Sequence, residues 1–153
     1  MFVLSIFLPL LSYVVCVSLN NLVKEKILNF ISCALMICST TSAVVSLILF
    51  HLNGEQSLVI TNWISSGSLN IDWSLNLNLL TVTMIIMVNF VSTIIHIYSV
   101  GYMSKDPRRI IFMGYLGLFT FFMLFLVSSS NLIQLFVGWE GAVSYTHLTL
   151  PTT

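Results

Sequence analysis

Charge is what this sequence has least of. Five Lys or Arg and five Asp or Glu make up only 7% of 153 residues. A soluble globular domain is about a quarter charged, so these side chains cannot clothe a water-facing surface, and an ordinary cytosolic enzyme is excluded. The formal net charge is zero, and the densest basic stretch is residues 105–109. That is too little to neutralise a run of phosphates, which excludes nucleic acid as a partner. Cysteine is scarce as well. Cys16, Cys33 and Cys38 all lie in apolar runs, and an odd number without a paired framework excludes a disulfide scaffold. They read as small buried hydrophobes. Cys33 and Cys38 fall about 140° apart around a helix, so no metal site is expected, and there is neither a Gly-rich phosphate loop nor a nucleophile elbow. What the chain has in excess is apolar surface: 58% hydrophobic residues and a mean hydropathy of +1.03. The expected fold class is all-α, a polytopic membrane protein partnered by the lipid bilayer.

Four complete spans and the start of a fifth can be read from the runs. The first covers residues 2–22 and has no basic segment ahead of it, so it is a retained span and not a cleaved leader. The second, 27–50, is free of charge and long enough to cross about 30 Å of hydrocarbon. Residues 51–74 form the longest external loop, with Trp63 and Trp73 where an aromatic belt belongs. The third run, 75–100, is interrupted only by amide and hydroxyl side chains, and Asn76, Asn78 and Asn89 read as helix-to-helix hydrogen-bonding residues. Pro107 breaks the chain in a tight basic turn before the fourth run, 110–127. Asn131 is placed to cap a fifth helix that starts at Leu132 and loses its apolar character after Gly141. Residues 1–141 are therefore expected to form the membrane unit, and residues 142–153, polar and Thr-rich, a non-native or unstructured tail. The loops after spans one and three carry all five basic residues, while Glu55 and Asp72 follow span two. The positive-inside rule puts the basic loops on the matrix or cytoplasmic side.

Glu140 is the one carboxylate inside an apolar run. About 13 Å into the fifth helix, it lies near the bilayer midplane. An acid there is costly and marks either a proton or ion pathway or a buried structural carboxyl. Gly138 and Gly141 flank it and allow another helix to come close. His96, about one turn before the end of span three, is either a proton relay or an interfacial histidine bonded to a backbone carbonyl. His51 and His147 read as loop residues.

Residues 96–106 (HIYSVGYMSKD), 119–124 (FTFFML) and 131–141 (NLIQLFVGWEG) resemble the N-terminal part of subunit 5 of the proton-pumping NADH:ubiquinone oxidoreductase, complex I, within the antiporter-like membrane subunit family. The resemblance spans about residues 1–141 and is strongest from Leu79 on. It extends to the large subunit of bacterial cation/proton antiporters, which stands as an alternative beside a small structural or assembly membrane protein. Two departures stand out: Asn78 occupies a position where the family usually has aspartate, and the sequence after Gly141 leaves the family pattern. The resemblance implies a membrane subunit with no redox centre or cofactor of its own, in a complex that uses NADH and ubiquinone. Its partners would be the other membrane-arm subunits and protons, and its place the mitochondrial inner membrane or, alternatively, a bacterial plasma membrane. Sixteen Ile, eleven Phe and ten Asn against three Ala is an AT-rich bias that favours the mitochondrial case. In the family the glutamate matching Glu140 pairs with a lysine of a later helix. Apolar surroundings favour a protonated carboxyl and a nearby ammonium favours an ionised one, so moving the partner gates a proton.

Overall fold

Apolar runs of this length leave the backbone one solution in lipid, which is to satisfy its hydrogen bonds within helices. The computed structural model, which describes residues 1–149, follows that rule. Helices α1 (Phe2–Leu19), α2 (Glu25–Asn53), α3 (Leu79–Tyr102) and α4 (Arg109–Val127) are each long and apolar enough to cross a membrane, and α5 (Leu132–Thr149) follows. Helix α1 packs on α2 and α4, α2 on α3, and α5 chiefly on α4.

Burial differs from that of a soluble protein. Large apolar side chains such as Leu11, Phe30, Ile48, Phe90 and Phe136 point outward, and serines, threonines and amides share the interior with Ile6, Leu28, Met36, Ile85 and Leu124. On α2 the buried positions Ser32, Met36, Ser39, Ala43 and Ser46 recur at spacings of four, three, four and three. Apart from Met36, that is a stripe of small residues, and small residues let helices meet closely where lipid offers no hydrophobic drive. Helix α4 does the same with Gly114 and Gly117: a Cβ on Gly117 would stand 2.8 Å from the Pro9 carbonyl oxygen of α1. Cys16 is buried as expected, but Cys38 is exposed, because it lies off the α2 stripe.

The expected external loop is instead an antiparallel hairpin, β1 (Gln56–Ser66) with β2 (Leu69–Leu77). Gly67 takes φ +60° at the two-residue turn, as the primed hairpin turns require. Ile60 and Trp63 have no partner in the register and form bulges. Strand β1 is exposed throughout, while β2 buries Ile71, Ser74, Leu75 and Leu77. Residues 75–77, read as the start of span three, thus belong to β2. The Asn76 amide donates to the Ser128 carbonyl (3.0 Å), so the strand is held against the turn between α4 and α5. Trp73 meets Phe125 edge to face at 5.7 Å and Trp63 at 6.3 Å.

At the other end, Arg109 of α4 forms an ion pair with Glu25 of α2. The two basic connections therefore share one end of the bundle and the hairpin occupies the opposite one. Two loop readings change. His51 lies in the last turn of α2, and residues 142–149, expected as an unstructured tail, continue α5, so that His147 falls within the helix. Helical hydrogen bonds do not depend on apolar side chains, and the Ser144 hydroxyl adds a bond to the Glu140 carbonyl at 2.8 Å.

Candidate functional site

Polar chemistry inside the bundle begins with a proline. Pro9 has no N–H, so the Ser5 carbonyl one turn earlier lacks its helical donor. The Ser39 hydroxyl of α2 supplies it at 2.6 Å. Asn89 of α3 lies 2.7 Å from the same hydroxyl. The atom facing it is the Asn89 Oδ1, which accepts, so the Ser39 hydroxyl shares its single proton between the Ser5 carbonyl and the Asn89 carboxamide oxygen. One turn away Thr40 and Thr93 bond at 2.7 Å, and Thr93 also donates to the Asn89 carbonyl at 2.8 Å. Ser12 and Ser32 join α1 to α2 at 2.8 Å, and Ser92 meets Thr120 across α3 and α4. These bonds tie the four helices together through groups that hydrocarbon would otherwise leave unsatisfied.

His96 closes this seam. It is fully buried, and its Nδ1 lies 2.8 Å from the Ser92 carbonyl oxygen. Only a protonated Nδ1 can make that bond, which fixes the tautomer in the neutral ring. The backbone-carbonyl contact expected of a structural histidine is thus present, but in the interior of the bundle and not at its interface.

Glu140 sits in a different environment. Asn131 caps α5 as expected, accepting from the Gln134 amide at 2.8 Å. Gln134 is fully buried and accepts from the Ser74 amide of β2 at 3.3 Å. Gln134, Gly138 and Gly141 form one face of α5, and this face lies on α4. A Cβ on Gly138 would stand 3.0 Å from the Leu126 backbone, and one on Gly141 2.3 Å from the Phe122 ring. The glycines thus serve the contact with α4, while Glu140, 200° around from Gly138 at 100° per residue, is exposed on the outer face. Among the described residues it forms no ion pair.

The two candidate residues are not brought together. Counting 1.5 Å per residue from the hairpin end, Glu140 lies about 12 Å along α5 and His96 about 25 Å along α3, and these helices share no substantial interface. Among the described residues no group of three His, Cys, Asp or Glu could hold a metal ion. Buried Gln134 and Ser39, the α2 partner of Asn89, escaped the residue-by-residue reading, although the serine spacing on α2 carried the signal.

An apolar shell around a hydroxyl-lined interior, with a single carboxylate set within an apolar helix, defines a helical multi-pass membrane protein. Its sequence is similar to that of one group of known proteins. Residues 63–113 match the family model described as NADH-Ubiquinone oxidoreductase (complex I), chain 5 N-terminus. The chain is 39% identical over 145 residues to NADH-ubiquinone oxidoreductase chain 5 of Chondrus crispus and 41% identical over 147 residues to that of Arabidopsis thaliana, with 92% of this chain aligned in each case. It is 41% identical over 143 residues, 91% of its length, to NADH-quinone oxidoreductase subunit L of Rickettsia conorii. The chain spans 21% of the length of each of these relatives. The resemblance to complex I subunit 5 is thus borne out, and the matched model covers the end of β1, all of β2, His96 and the start of α4 but ends before Glu140.

Proposed function

We propose that residues 1–141 act as the N-terminal part of a membrane subunit of proton-pumping NADH:ubiquinone oxidoreductase, contributing to proton translocation coupled to electron transfer from NADH to ubiquinone. NADH and ubiquinone are used elsewhere in the complex, and the partners are the other membrane-arm subunits in the mitochondrial inner membrane. Residues 142–149 carry α5 on beyond that unit. The site is Glu140, working as an intramembrane proton gate, with His96 as a relay in the seam between α3 and α4.

The observation that carries this reading is the outward placement of Glu140. Gly138 and Gly141 press α5 onto α4, which leaves the carboxylate on the free face, with no ion-pair partner among the described residues. A carboxylate at that depth is costly in lipid. It is therefore presented to a cation from beyond this chain's own helices, which is what a gate with a movable partner needs. A carboxyl serving only internal packing belongs on the α4 face instead.

The test uses the full-length subunit in its assembled complex. Glu140→Gln keeps the size and hydrogen bonding of the side chain and removes its titratable charge, so the ratio of protons pumped to NADH oxidised is expected to fall while assembly survives. A packing carboxyl would tolerate Gln and lose assembly on Glu140→Ala through missing contacts. A Gln variant pumping at the wild-type ratio overturns the gate.

A further inference from the structure

The basic end of the bundle contains a groove that the proton chemistry does not use. It runs between α2 and α3 with a volume of about 520 Å³. Lys26 and Arg109 stand at its helix-end rim, and Phe30, Cys33, Ile97 and Val100 line its walls. From Lys26 to Cys33 it follows α2 for about 10 Å into the hydrocarbon.

Three polar groups at the rim are incompletely used. Lys26 is exposed and forms no ion pair among the described residues. Arg109 donates from one terminal nitrogen to Glu25 and from the other to the Ser104 carbonyl at 3.0 Å, but its buried Nε has no partner. Asn29, which also lines the groove, is only 6% exposed, and its Oδ1 accepts no hydrogen bond. Unpaired Lys26, an Arg109 whose Nε is free while its charge is shared with Glu25, and an orphaned acceptor above an apolar slot ask for a ligand with an anionic head, a hydroxyl or ammonium donor, and a hydrocarbon tail.

We propose that this groove is a binding site for an anionic phospholipid. The phosphate lies between Lys26 and Arg109, where the N-terminal ends of α2 and α4 add their positive dipole ends. A head-group hydroxyl, such as that of phosphatidylglycerol, donates to Asn29 Oδ1. One acyl chain runs along Phe30, Cys33, Ile97 and Val100. The apolar walls select a lipid over a free phosphate ion, since an ion would use only the rim.

The experiment places the whole chain in phosphatidylcholine nanodiscs containing a trace of phosphatidylglycerol with a photoreactive acyl chain, and maps the adducts by peptide mass spectrometry. Adducts are expected on peptides carrying Phe30, Cys33, Ile97 and Val100. Unlabelled phosphatidylglycerol should displace them, and neither phosphatidylcholine nor inorganic phosphate should. Lys26→Gln should lower this labelling about fivefold, the factor expected for one cation removed from an anionic headgroup, and Lys105→Gln, at the same end but outside the groove, should leave it unchanged. Labelling spread evenly over the outward faces of α1 to α4, equal competition by phosphatidylcholine, displacement by inorganic phosphate, or an unaltered Lys26→Gln variant would each overturn the proposal.

Discussion

Asn78 shows how one side chain's role depends on where its helix begins. Its Oδ1 accepts from the Thr81 amide at 2.8 Å, so it caps α3 and does not bridge helices as its place in an apolar run suggested. Asparagine and aspartate are nearly equivalent N-caps, and aspartate also complements the helix dipole. The departure from the family's aspartate at this position therefore leaves the capping function intact. Asn78→Asp is expected to leave unfolding in detergent unchanged, and Asn78→Ala to destabilise by about 1 kcal/mol, as read from the denaturation midpoint by circular dichroism. Asn89, by contrast, does bridge helices as its amide chemistry predicts, because it falls on the face of α3 that meets α2.

Among the elements, the spans were legible because each is one long apolar run bounded by charge or Pro107, and hydropathy reports that directly. The hairpin was not, since its residues are mixed in polarity and an exposed strand has no apolar face to announce it. The Gly67–Ser68 pair after a run rich in Val, Ile and Thr was the available cue. Glu140 was legible as an acid in an apolar run, but its direction was not. Which face of α5 it occupies depends on the contact of Gly138 and Gly141 with α4, a property of the partner helix. The ion pair between Glu25 and Arg109, and the bond from Asn76 to Ser128, put the two basic turns at one end and the hairpin at the other. Lys24→Cys and Lys105→Cys are accordingly expected to react with an impermeant maleimide from one side of sealed membranes, and Glu55→Cys from the other. Labelling of positions 24 and 55 from the same side would contradict this arrangement.

For the molecule as a whole, stability rests on closeness and hydrogen bonds, since its outward surface is as apolar as the lipid around it. That makes the carbonyl left free by Pro9 a matter of biogenesis. While α1 is alone in the bilayer, the Ser5 oxygen has neither a backbone donor nor water, a state that costs free energy in hydrocarbon. Ser39 relieves it only when the second span arrives. The first two spans are thus better lodged as a pair than in sequence, and the short connection between Leu19 and Glu25 lets them enter together. Glycosylation mapping of insertion should show α1 integrating less completely by itself than with α2 behind it. Pro9→Ala should narrow that gap, and Ser39→Ala should widen the deficit of the pair. A proline in the first helix thereby sets the point in synthesis at which the nascent chain becomes settled in the membrane.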